Sequence, residues 1–139
     1  ILEPSAGQWA ILECISDEYQ DVVAIEINEE NKKILEEKFT KRVIMQGDFI
    51  IFWKPWTYSK IIANPPFSKS QDVKHILHMY ELLKEWGKLV SVASSSIQTR
   101  EWKLYDELRA LNPEFIELPE WSFKESGTLV STIIVLICK

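Results

Sequence analysis

Glycine is scarce in this chain. There are four in 139 residues, where average usage of about 7% gives about ten. Cysteine is limited to Cys14 and Cys138, which make neither a metal-binding spacing nor a disulfide framework. Both are expected to be small core residues, and a reducing cytoplasm is the expected compartment. His75 and His78 lie three apart without a third candidate ligand, so a surface or sheet-facing role is expected and no metal site. No apolar run approaches the roughly 18 residues of a membrane-spanning helix, and no signal peptide or lipidation motif is present. There is no initiator Met. The chain opens on Ile1-Leu2, already apolar, so a piece of a longer protein, truncated at its N-terminus, is expected. A basic stripe of the kind that nucleic-acid binders carry is also missing.

What is present is ordinary globular composition, with 46% hydrophobic and 27% charged residues in 16.3 kDa. One domain spanning residues 1–139 is expected. The net charge of −5 is uneven. The first fifty residues carry five basic and eleven acidic side chains, and the remainder eleven and ten. Lys54, Lys60, Lys69, Lys74, Arg100, Lys103 and Lys124 are spread through the less acidic part. Tryptophan, at six, is unusually frequent.

Strand and helix periods alternate along the chain. Ile1-Leu2 reads as a strand end. A helix over Trp9–Ser16 follows, with Ala10, Ile11, Cys14 and Ile15 inward. Val22–Ile25 is a buried strand. Asn28 caps the next helix, with Glu29 and Glu30 suiting its N-terminus and Ile34, Leu35 and Phe39 inward. Val43–Met45 and Lys60–Ala63 are further strands, the second stopped by Pro65-Pro66. Val73, Ile76, Leu77, Tyr80 and Leu83 form a helical stripe. Lys88–Ala93 is a fifth strand, a helix capped by Thr99 follows, and Phe115–Leu118 and Leu129–Cys138 are the last strands. Short apolar strands alternating with helices predict a mainly parallel α/β sheet covered on both faces. Ligands in such folds sit at the carboxyl ends of the strands.

Four segments follow strands there. Glu3-Pro4-Ser5-Ala6-Gly7 is a small-residue turn that lets a ligand approach backbone amides, with Glu3 suited to a cationic or amino group. Glu26-Ile27 ends the second strand, 19 residues after Gly7, a spacing suited to gripping ribose hydroxyls. Asp48-Phe49 follows the third, where Asp48 can accept from an adenine amino group and Phe49 can pack on its ring. Each alone also reads as ordinary turn chemistry. The fourth, Asn64-Pro65-Pro66-Phe67, is more specific. Two prolines stiffen the turn, and the Asn64 side-chain oxygen and Pro65 carbonyl can accept both hydrogens of a planar amine while Phe67 stacks beside it.

These segments resemble motifs I to IV of the class I S-adenosylmethionine-dependent methyltransferases, over almost the whole chain. The nearest resemblance is to the N6-adenine DNA methyltransferases of phage and mobile-element type. It is carried by Asn64 to Phe67, by Ser68-Lys69, Gln71-Asp72 and His75-Ile76 after them, and by Phe123 to Thr128 before the last strand. The resemblance implies a Rossmann-like, doubly wound, seven-stranded sheet with an antiparallel last strand. It implies S-adenosylmethionine as cofactor, held by Glu3 to Gly7, Glu26, Ile27, Asp48 and Phe49. It also implies DNA as partner, a base flipped out of the stack, and catalysis by Asn64, Pro65, Pro66 and Phe67. Phe123, or its neighbour Trp121, and Lys69 are further substrate-binding candidates. RNA guanine-N2 or protein glutamine remain alternative targets, and an inactive methyltransferase fold serving as a binding module is an alternative of another class.

The sequence departs from the family where Trp stands in place of an expected glycine, at Trp9, Trp86 and Trp121, with Trp56 a fourth candidate. Trp9 is expected to crowd a cofactor turn or strain its backbone. Two explanations are open: drift in a weakened copy, or UGA codons that mean glycine in the source organism.

Overall fold

The apolar runs become strands, and those at the centre of the sheet bury side chains on both faces. The structure, a computed structural model, describes residues 1–51, 57–119, 122 and 131–139. Its elements are β1 (Leu2–Glu3), α1 (Ala10–Cys14), β2 (Val23–Glu26), α2 (Glu29–Lys38), β3 (Val43–Gln46), β4 (Tyr58–Ala63), α3 (Gln71–Glu81), β5 (Leu83–Ser94), α4 (Lys103–Ala110), β6 (Glu114–Glu117) and β7 (Thr132–Cys138). The seven strands described form one sheet in the order β3-β2-β1-β4-β5-β7-β6. Pairing is parallel from β3 through β5, and β7 runs antiparallel to both β5 and β6. This is the Rossmann-like sheet with a reversed last strand that the resemblance implied. The strand order changes direction between β1 and β4, where an α/β sheet opens a crevice.

Alternation along the strands sends side chains into two cores. On one face Leu2, Ile25, Ile61, Leu89 and Val135 pack with Val73, Ile76 and Met79 of α3 and with Tyr105 and Leu108 of α4. On the other, Ala24 and Val22 pack with Leu12 of α1 and Leu35 of α2. Helices on both faces make the sheet doubly wound. Asn28 caps α2 as its sequence suggests, accepting from the backbone N–H of Glu30 and Asn31.

Several side-chain assignments change. In α1 it is Leu12 that is buried, while Ala10 and Cys14 face solvent. Ile34 is exposed. Leu83 is buried, but as the first residue of β5 rather than in the helix. Thr99 ends a 3-10 turn over Ser95–Gln98, and α4 begins after Trp102, which makes no side-chain cap. Both cysteines are exposed rather than in the core. Leu12, Leu35 and Ile137 are buried where Cys14, Ile34 and Cys138 are not. Lys54, Trp56, Trp121, Phe123, Lys124 and Leu129 lie outside the described residues. Among the described residues no helix is long and apolar enough to cross a membrane.

Candidate active site

A cavity of about 460 Å³ opens between the ends of β1 and β4. Its walls are three turns. The turn after β1 contributes Pro4, Ser5 and Gly7; the ends of β2 and β3 contribute Ile25, Glu26, Ile27, Gly47, Asp48 and Phe49; the turn after β4 contributes Asn64, Pro65, Pro66 and Phe67. The four segments read from the sequence therefore meet around one space. α3 adds Gln71 and His75, which the motif reading did not place here. Their signal was visible, since two polar residues four apart share one face of a helix.

Glu26 organises the first wall. It is buried, with Oε2 accepting from Gly7 N–H at 2.7 Å and Oε1 from Asn28 N–H at 2.8 Å. The Gly7 amide is therefore already used by the protein. The carboxylate keeps further lone pairs for a ligand's hydroxyls. Ile27 stands exposed at the rim. Ala6 does not line the cavity: it is buried in the second core, with its N–H bonded to the Ile25 carbonyl at 3.1 Å.

Glu3 lies beneath the turn, 1% exposed, and its Oε2 has no hydrogen-bond partner. Burial, reinforced by the Glu26 carboxylate, pushes its carboxyl up to about 8. An unpartnered acid buried beside a second carboxylate favours a cation nearby.

The second wall is ordered by rings. Phe49 is nearly fully buried, its ring 5.4 Å from that of His75 and 4.8 Å from that of His78. It offers a ligand an edge of the core rather than a free face. Asp48 is exposed, and its Oδ1 accepts from Ile50 N–H at 3.0 Å. His75 is buried, with Nδ1 3.3 Å from Ser5 Oγ. Burial holds its imidazole down to about 4, against the opposing pull of Asp48. It is thus neutral near pH 7, and can accept the Ser5 hydroxyl when the proton sits on Nε2.

The third wall is stiff. Asn64 and Pro66 are exposed, Pro65 buried and Phe67 half-buried. Beyond them Lys69 and Ser70 both adopt left-handed backbone, with φ of 53° and 58°. Two consecutive non-glycine residues there are strained and need surrounding structure to hold them. That structure is present. Ser70 Oγ meets Tyr105 Oη at 2.7 Å inside the core, and Tyr105 Oη accepts from Arg100 Nη1 at 3.2 Å. Buried Asp72 accepts from Val73 N–H and from Ser94 N–H, both at 3.0 Å, tying α3 to the end of β5. Lys69 is exposed and outside the cavity lining. The hydroxyls of Ser95 and Ser96 border a separate cavity with Thr99, Glu117 and Thr132, not this one. Among the described residues no group of three or more metal-ligating side chains forms.

No protein-family model and no curated protein sequence matches the chain. Solved structures match its fold. A Listeria monocytogenes protein described as a putative class I S-adenosylmethionine-dependent methyltransferase superposes on 99% of this chain and 52% of its own, with TM-score 0.80 and 11% identity. The fold is the class I methyltransferase fold. The modification subunit of a putative type I restriction enzyme from Vibrio vulnificus aligns over 99% of this chain and 39% of its own, with TM-score 0.77 and 12% identity. The N-methyltransferase NodS from Bradyrhizobium japonicum, in complex with S-adenosyl-L-homocysteine, aligns over 99% and 76%, with TM-score 0.73 and 13% identity. The chain thus spans about half the length of the Listeria protein and about two-fifths of the Vibrio one. Identities this low speak for the fold, and the chemistry rests on the cavity itself.

Proposed function

We propose that this domain binds S-adenosylmethionine and transfers its methyl group to the exocyclic N6 amine of adenine in DNA. The observation that carries the proposal is the position of Asn64-Pro65-Pro66-Phe67, at the carboxyl end of β4 and on the same cavity as Gly7 and Glu26. The solved structures of similar fold support the general activity: their descriptions include an N-methyltransferase and a restriction-modification subunit.

The residues fit the cofactor. The unpartnered carboxyl of Glu3 suits an amino acid's ammonium and a sulfonium, both cationic. Glu26 has acceptor capacity for ribose hydroxyls, and Ile27 and Asp48 flank the space for a base. When bound, S-adenosylmethionine supplies a methyl group already activated by its sulfonium. No protein nucleophile is then required, and the chain's task is positioning. The Asn64 side-chain oxygen and the Pro65 carbonyl accept the two hydrogens of the target amine, which draws electron density onto its nitrogen and fixes its plane. Phe67 packs on one face of the extruded base. Lys69, exposed just beyond the turn after β4 and outside the cavity lining, suits a backbone phosphate. Phe123, in the segment before the last strand, is the candidate for the opposite face.

The test is transfer of a labelled methyl group from S-adenosylmethionine to unmethylated DNA, with RNA and a glutamine-bearing protein in parallel. Label on DNA adenine that is lost in Asn64→Ala is the expected result, with the rate falling at least 100-fold, on the order of removing one preorganised polar group. Label on RNA guanine or protein glutamine would move the reaction to that substrate. The one feature favouring a binding module without transfer is Trp9, in the turn after β1. S-adenosyl-L-homocysteine binding with no transfer to any substrate would support that reading.

A further inference from the structure

Three tryptophans lie among the described residues, and two of them adopt a backbone that tryptophan avoids. Trp9 has φ 63° and ψ 4°, and Trp86 has φ 65°. Trp102, by contrast, is extended, with φ −159° and ψ 145°. The left-handed region forces Cβ against the backbone. Glycine enters it freely and Asn or Asp sometimes, but a bulky side chain there is an outlier.

Nothing around either ring compels the conformation. The Trp86 side chain is 92% exposed. It lies near the start of β5, its N–H donating to the Lys139 carbonyl at 2.6 Å. Trp9 is half-buried against the second core, with Lys38 Nζ 4.6 Å above its ring, but the turn is closed by main chain, Trp9 N–H donating to the Ala6 carbonyl at 2.9 Å. Each segment already contains one glycine whose role is visible. Gly7 is left-handed at φ 49°. At Gly87 an added Cβ would lie 2.7 Å from the Lys84 carbonyl oxygen. Each segment therefore has a left-handed position beside a glycine, and tryptophan stands in it.

We infer that positions 9 and 86 hold glycine in the protein its organism makes, their codons being UGA read there as glycine, so that the turn after β1 carries glycine on both sides of Gln8 and the domain is intact rather than decayed. Drift would need a separate first-base change, from a GGG codon to UGG, at each of two separate places in the fold, the turn after β1 and the start of β5, both landing on left-handed positions. One decoding difference places tryptophan at both together. It also moves both counts, four glycines and six tryptophans, toward ordinary usage. The consequence for the cofactor turn rests on the proposed function; the assignment itself rests on backbone geometry.

The test is to sequence codons 9 and 86 in the gene and to identify both residues by peptide mass spectrometry of the protein isolated from its source organism. UGA codons with glycine in both peptides are the expected result. UGG at either position, or tryptophan in either peptide, overturns the inference. In parallel, Trp86→Gly should raise Tm without changing affinity for S-adenosyl-L-homocysteine, and Trp9→Gly should raise that affinity at least tenfold. A fall in Tm for Trp86→Gly would overturn the geometric argument. UGA codons in a chain that binds no S-adenosyl-L-homocysteine in either form would uphold the assignment while removing the proposed function.

Discussion

The two turns that face each other across the cavity are shaped by different means. The turn after β1 is small and has little stiffness of its own. Its form comes from a neighbouring strand, through Glu26 on Gly7 and the Ile25 carbonyl on Ala6. The turn after β4 is stiff from within, with two successive prolines, and continues into a left-handed pair clamped by Tyr105 from α4. One wall is held by a carboxylate that a ligand can also use. The other is held by groups facing away from the cavity. Binding can therefore act on the turn after β1, while the turn after β4 presents a fixed surface.

The largest expected effect breaks the first wall. Glu26→Ala leaves the Gly7 and Asn28 amides without their acceptor, a loss of about 2–4 kcal/mol for two such bonds to a charged group. Thermal melts should show the lower Tm, and calorimetry should show S-adenosyl-L-homocysteine affinity falling with it. Unchanged affinity would mean that the wall does not depend on Glu26.

The next effect is read by pH. Glu3 has its carboxyl raised from 4.5 to about 8. Between those values the folded chain holds a proton that the unfolded chain has released, so stability falls as pH rises through this window. His75 works oppositely: lowered from 6.5 to about 4, it makes stability fall as pH drops below 6.5. The two oppose each other below pH 6.5; from about 6.5 to 8 Glu3 contributes a decline, against the Ile1 ammonium, which burial lowers from 8.0 and which adds stability as pH rises. Glu3→Gln should flatten that decline, a change of about 1–3 kcal/mol at pH 8, measured by urea unfolding at several pH values. A decline that persists in Glu3→Gln would assign it elsewhere.

The smallest effect sharpens the contrast from the side of the turn after β4. Tyr105→Phe deprives Ser70 Oγ of its buried partner, at about 1–2 kcal/mol. Because Tyr105 does not line the cavity, S-adenosyl-L-homocysteine affinity should be unchanged while kcat falls through the loosened turn after β4. A loss of affinity equal to that of Glu26→Ala would erase the distinction between the walls.

Much of this is legible in the chain. Asn28 caps α2 because a side-chain oxygen two and three residues before free amides is a local arrangement. The strand at Lys60–Ala63 and its stop at Pro65 follow from apolar run and missing N–H, also local. Inward faces are less legible. Leu12, not Cys14, fills the core under α1, since α1 is a short helix whose rotation is set by what it packs on. His75 reads from the sequence as a surface or sheet-facing residue, because its place between Ser5 and Phe49 joins positions 70 and 26 residues apart.

The sequence by itself determined the alternation of elements, the order of the four strand-end segments and the stiff Asn-Pro-Pro-Phe turn, because these depend on period, backbone restriction and near neighbours. Only the tertiary structure decided that the segments enclose one cavity, that Glu26 spends its carboxylate on Gly7, and that Glu3 is left buried without a partner. Those outcomes depend on which strands lie side by side. Hydrogen bonding across parallel strands and burial between them are long-range quantities, and no local pattern in the chain contains them.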